Sequence, residues 1–224
     1  MNKIKIKTYF IFILLASFLI SSSALATVSC PKPAKSQGNV NHIFFSFSKK
    51  ESNLKTYLPQ NLVLIDKEYL KNGPRCLTKQ SYTAFVSMNN ALKEDTGQSL
   101  VVASAWRSLR TQQYFARTRP SFAAGPGRSE HQLGTTIDIH IKDVKEGEYF
   151  SDTFAYSWMI EHAQEYGFVQ SFNLEYEDST GIPNEPWHWR FVGKTIATKV
   201  KNENLNLNKY LQDRKDAKLK GLNY

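Results

Sequence analysis

From Thr135 to Ile141 the chain alternates, with Ile137, Ile139 and Ile141 on one side and Thr136, Asp138 and His140 on the other. That period of two predicts a strand with one buried face, and it turns the Asp138 carboxylate away from the apolar side. Elsewhere the period lengthens. Phe85, Met88 and Leu92 recur at three- and four-residue steps within Thr78 to Thr96, which predicts a helix that Gly97 can end. Ser99 to Trp106 is an apolar, β-rich run that delivers Arg107 at its end, where a second helix over about Leu109 to Arg117 begins. A third helix is predicted over Asp152 to Gly167, and Asn173 to Asn184 reads as a loop. Glu185 to Phe191 reads as extended, with Trp187 and Trp189 on one face and His188 and Arg190 on the other. Helices cluster before and between short strands, so the expected class is α+β, a small, mainly antiparallel sheet flanked by helices.

The same pattern places chemistry. His131 stands seven residues before Asp138, and His188 three residues after Glu185. A catalytic zinc uses three N or O ligands, an open position for water, and a carboxylate outside the ligand set to take a proton. His131, Asp138 and His188 supply such a set for one zinc per chain, and Glu185 is the spare carboxylate. As residues alone, the same His and Asp also fit a polar strand surface. Glu161 and His162 are adjacent rather than spaced as His-Glu-x-x-His, so His162 reads as a surface residue.

Three segments together resemble one known family. They are Ser104-Ala105-Trp106-Arg107-Ser108, the pattern His-x-x-Gly-x-small-x-Asp from His131 to Asp138, and Glu-x-x-His from Glu185 to His188. In that order they look like the VanY-type D-alanyl-D-alanine carboxypeptidases, zinc peptidases grouped with lysostaphin-like enzymes and the hedgehog signalling domain. The resemblance runs from roughly Leu100 to Gly193 and takes in Trp158, Ala163 and Tyr166-Gly167-Phe168. Two positions depart from it. Thr136 stands where the family usually has Ala, and Gln170-Ser171-Phe172-Asn173 replaces an Arg-Tyr-Pro.

The resemblance implies zinc on His131, Asp138 and His188, with Glu185 as the base. It implies Arg107 as an active-site cation, since a guanidinium at a strand end can fork onto a substrate carboxylate or a developing oxyanion. It also implies that Gln112, or the adjacent Gln113, faces the site and that Ser129 contacts the peptide. His140 shares a face with Asp138 and is either an outer partner of the metal ligands or a solvent-exposed residue.

Outside that region, Met1 to Ala26 carries Lys3, Lys5 and Lys7, an apolar run over Tyr9 to Ile20 and small residues ending at Ala26. This predicts a signal peptide and an exported protein, periplasmic or in the cell wall or beyond; the run is short for a membrane anchor. Residues 27–77 form an N-terminal extension, 78–193 the catalytic domain and 194–224 a basic helix or tail. Removing the leader lowers the formal charge from +9 to +6, and the tail holds +5 of that, which leaves the catalytic region nearly neutral. An exported chain without basic-aromatic interleaving points to no nucleic acid; an anionic wall polymer or a membrane surface is the partner such a tail could take, and a solvated helix is the plain alternative. Cys30 and Cys76, the two cysteines, are expected to pair in an oxidising compartment, or else to be small buried residues.

The expected function is that of a zinc metallopeptidase, a D,D-carboxypeptidase releasing the terminal D-alanine of peptidoglycan stem peptides. L,D-carboxypeptidase or endopeptidase action fits the same centre. A wall-binding module with a structural zinc is the rival from another class, against which Glu185 and Arg107 both count, because structural zinc usually has four protein ligands.

Overall fold

Helix α1, Lys79–Thr96, starts where the Thr78 hydroxyl accepts from the Ser81 amide and stops at Gly97, whose φ of 73° suits a left-handed C-terminal cap. Its buried side is Phe85, Met88 and Leu92, all fully buried. Asn89, also buried, is polar for a reason: Leu100 N–H donates to its Oδ1 at 2.7 Å and its Nδ2 donates to Leu100 O at 3.2 Å. One side chain thus joins α1 to the first residue of a strand and leaves neither backbone group unsatisfied.

The computed structural model describes residues 28–33, 54, 56–120, 123–143, 149–176 and 182–219. The expected leader, Met1 to Ala26, and the Glu177, Asp178 and Gly181 part of the loop lie outside those residues. Strands β1 (Leu62–Leu64) and β2 (Cys76–Thr78) form an antiparallel pair. A second, four-stranded sheet is built from β3 (Leu100–Ser104), β4 (Thr136–Ile141), β5 (Phe168–Gln170) and β6 (His188–Phe191) in the order β3-β4-β6-β5, antiparallel throughout. The chain is thus α+β. Helix α2, Leu109–Thr118, is capped by Ser108, and α3, Phe154–His162, by Thr153. No helix among the described residues is long and apolar enough to cross a membrane.

One face of the larger sheet carries Ile137, Ile139, Ile141, Val102, Phe168 and Trp189 into a core shared with α1 and α3. Slipping β4 by one residue would expose three isoleucines, each worth ~1.5–3 kcal/mol when buried, and drive Asp138 into the core. The alternation therefore fixes which way Asp138 points.

Within residues 27–77, Leu77 and Ile65 belong to the main core, and Leu54 packs on Leu133. One expectation needs correcting. Trp187 does not share a face with Trp189. Pro186 and Trp187 make a turn closed by His188 N–H donating to Glu185 O at 3.0 Å, so extended backbone starts only at His188; Trp187 stays 39% exposed while Trp189 is buried. The basic C-terminal segment is two helices, α4 (Lys194–Asn202) and α5 (Leu207–Leu219). Val200, Leu207 and Leu211 bury each other against Val169, Val192 and Ile196 beside β5. Four of its eight cations have polar partners: Lys199 with Glu203, Lys201 with Glu161, Lys209 with Asp213, Arg214 with the Tyr210 hydroxyl.

Cys30 and Cys76 form a disulfide, and Cys76 O accepts from Trp106 N–H at 3.0 Å. The bridge thus anchors the N-terminal segment beside the loop that carries Arg107.

Candidate metal centre

Asp138 and His188 are direct cross-strand partners in the β4–β6 ladder. His131 reaches them from a 3-10 turn, Glu130–Leu133, that ends at Gly134 with φ of 71°. Gly134 has no room for a side chain. A Cβ there would lie 3.0 Å from both Leu62 Cδ2 and Pro59 Cγ, and Gly134 O accepts from Thr78 N–H at 2.8 Å. That tight reversal returns the chain onto β4, and it accounts physically for the glycine between the imidazole and the carboxylate.

Ligand atoms of His131, Asp138 and His188 all lie within 4.8 Å of one another. His131 is fully buried, and its Nδ1 is 2.8 Å from Ala105 O, which can only accept. The ring therefore carries its hydrogen on Nδ1 and turns the Nε2 lone pair inward. Nε2 sits 3.2 Å from Asp138 Oδ1 yet makes no hydrogen bond, since neither atom has a proton to give. Burial, reinforced by Arg107, lowers the His131 pKa to about 4, so the ring is neutral. A buried lone pair facing a carboxylate is a site that a cation can satisfy. The donor set fits zinc on this ground: two imidazoles, one carboxylate and converging lone pairs.

His188 has the opposite orientation. Its Nδ1 is 3.1 Å from Asp138 Oδ1 and 3.4 Å from Glu185 Oε2, while Nε2 is 3.0 Å from Glu130 Oε2. Burial alone would lower its pKa, but hydrogen bonds to Asp138 and Glu130 outweigh that and raise it to about 10. Without a metal, a proton on Nδ1 holds the position of the positive charge. Asp138 is kept well below the usual carboxylate range, burial being outweighed by His131 and His188.

Glu185 is raised by burial, with His188 and Arg107 opposing and Asp138 adding to the rise. It is one fifth exposed, at the mouth rather than the floor. Arg107 donates its backbone N–H to His131 O, lays its guanidinium 5.5 Å from the Phe115 ring centre, and is felt electrostatically by Asp138 and Glu185. Burial lowers its pKa, and those carboxylates offset only part of the fall.

Gln112 is buried whereas Gln113 is exposed. Its Nε2 donates to Ala124 O at 2.6 Å, and its Oε1 is buried without a partner. Ser129 is buried at the start of the 3-10 turn. No hydrogen bond joins either residue, or His140, to the three clustered side chains. The outer partners of the ligands are instead Ala105 O and Glu130.

Glu130 was the residue the pattern did not reveal. It is buried, pairs with Arg190 at 2.9 Å and accepts from His188. Burial would raise its carboxyl, but Arg190 and then His188 hold it down at about 2. Arg190 lies two residues from His188 on one strand, which puts it on the site face and was the available signal. Gln170 is a second such residue. Its Nε2 donates to Phe172 O, Asn184 Oδ1 and, at 3.4 Å, Glu185 O, which ties both ends of the 171–185 loop beneath Glu185.

Residues 74–194 match the model of the VanY D-alanyl-D-alanine carboxypeptidase family. The chain belongs to that family. A D-alanyl-D-alanine carboxypeptidase of Enterococcus faecalis is 31% identical over 169 residues, covering 67% of this chain and 61% of that one. Among solved structures, the LdcB LD-carboxypeptidase is similar with a TM-score of 0.64 and 28% identity, over 72% of this chain and 84% of that one. A VanY D,D-pentapeptidase mutant from a VanB-type resistance cassette, in complex with Zn(II), is similar with a TM-score of 0.55 and 28% identity, over 74% of this chain and 99% of that one. The chain spans about three-fifths of the length of the curated VanY-family relatives it matches.

Proposed function

We propose that this chain is a zinc-dependent D,D-carboxypeptidase that releases the terminal D-alanine of peptidoglycan stem peptides. The observation that carries the proposal is the open three-ligand set of His131, Asp138 and His188 beside Glu185, a carboxylate the set does not need. A structural zinc would close its fourth position with protein. Family membership and the Zn(II)-bound relative support the metal, and the relatives' names support the substrate.

His131, Asp138 and His188 would hold the zinc, which would supply a Lewis acid for the scissile carbonyl and bring the ionisation of a water toward neutral pH. Glu185 accepts the proton of that water and passes it to the departing amine; its burial-raised carboxyl is basic enough for the first role and acidic enough for the second. Arg107, held over Phe115, binds the terminal carboxylate or the developing oxyanion. Gln112 and Ser129 are proposed to line the peptide's path. The Cys30–Cys76 disulfide supports a location outside the cytoplasm, in the periplasm or wall. With four of its eight cations engaged by acids or a tyrosine hydroxyl, the C-terminal helix pair is the lesser part of the proposal as a contact for anionic polymer or membrane.

A second reading, L,D-carboxypeptidase action, is favoured by the similarity to LdcB and by the Gln170–Asn173 departure next to the site. The deciding experiment is digestion of a muropeptide panel by the zinc-loaded mature protein. Loss of one D-alanine from pentapeptide supports the proposal; loss only from tetrapeptide moves the reading to L,D specificity. No cleavage of pentapeptide, tetrapeptide or crosslinked dimer leaves a binding module.

A further inference from the structure

Behind His188 sits the pair Glu130 and Arg190, which the proposed reaction does not use. Both side chains are 1% exposed. A buried ion pair is poor value as a stabiliser, because desolvation of both charges offsets their attraction and apolar residues of the same volume often do as well. Its position points elsewhere. A carboxylate can only accept, so the 3.0 Å contact from Glu130 Oε2 requires the hydrogen of His188 to be on Nε2. Nδ1, 3.1 Å from Asp138, is then the ligating atom.

Ala105 O fixes His131 the other way, with hydrogen on Nδ1 and Nε2 free. The two imidazoles, 5.0 Å apart and nearly perpendicular, therefore need opposite tautomers to converge on one ion. Arg190 occupies the second oxygen of Glu130 at 2.9 Å. The guanidinium is a donor only, so it takes up Oε1 and leaves Oε2 aimed at Nε2.

We propose that Glu130, anchored by Arg190, is a positioning residue that fixes the His188 tautomer and so presents Nδ1 to the metal. This rests on the zinc reading above. The primary test needs no variant: nitrogen NMR of the zinc-loaded wild type should find His188 coordinated through Nδ1 with hydrogen on Nε2, and His131 the reverse. Coordination of His188 through Nε2 would overturn the proposal.

The second test is zinc affinity by chelator competition. Glu130→Gln alone strands a buried Arg190, so both residues are changed together. Glu130→Met with Arg190→Met keeps the volume and removes the acceptor; its zinc dissociation constant should rise roughly 10- to 100-fold. Glu130→Gln with Arg190→Gln, whose amide oxygen can still accept from Nε2, should lose less. A folded double-Met protein whose affinity stays within about threefold of wild type overturns the proposal while leaving the zinc site standing. A wild type that binds no zinc overturns both.

Discussion

Asp138 and His188 face each other across the β4–β6 ladder with Oδ1 and Nδ1 3.1 Å apart. The contact joins two residues fifty apart in sequence, and it is the β-sheet register, not a local motif, that makes it.

Zinc bound at the proposed site would displace a proton from His188. His188 is held at about 10, so at pH 8 nearly every metal-free molecule carries it. Zinc binding should then release at least one proton per chain, with any further release coming from ionisation of the bound water, and affinity should climb as pH rises toward 10, since fewer molecules need deprotonating. Calorimetry in buffers of different ionisation heat checks this; binding without proton release would contradict it.

Glu185→Gln should separate binding from chemistry. Glutamine keeps the shape and removes the base, while the three proposed ligands are untouched. Zinc content should hold and hydrolysis should fall ~100-fold or more. Loss of zinc in this variant would make Glu185 a ligand, and unchanged turnover would remove it from the mechanism.

Arg107→Lys should retain zinc, because Arg107 touches the ligands only through its backbone N–H to His131 O. Losing a forked, charge-assisted contact in the transition state costs on the order of 2 to 4 kcal/mol, roughly 30- to 1,000-fold in kcat/KM. Near-normal kcat/KM would place the guanidinium outside the reaction.

Much of this site was legible because its causes are local. Ile137, Ile139 and Ile141 fix the direction of Asp138 by period alone, and Thr78 with Gly97 delimit α1 by caps that any sequence displays. Glu130 was not legible. Its acid belongs to a short turn without periodicity, and its burial depends on Arg190, sixty residues away. Trp187 misled for a related reason: a turn closed by Glu185 O interrupts the alternation before β6 begins. In the C-terminal helices charge dominates the composition and hides the packing, while three apolar residues, Val200, Leu207 and Leu211, decide where they sit.

The Cys30–Cys76 bridge spans 46 residues, and closing a loop of that size stabilises by ~4 kcal/mol on the chain-entropy model. Replacing both cysteines by serine should lower the unfolding free energy by about that order while zinc binding persists. Denaturant melts of the two proteins make the comparison. An unchanged midpoint would mean the bridge constrains nothing that folding needs.

The central claim, that these residues form a zinc centre that hydrolyses stem peptides, is tested most directly by one titration. Metal-free protein receives zinc in steps while release of D-alanine from a pentapeptide stem is followed. The account predicts no release at the start, a rise proportional to zinc, and a plateau at about one zinc per chain. Release that is full before zinc is added, or absent at full occupancy, would contradict it.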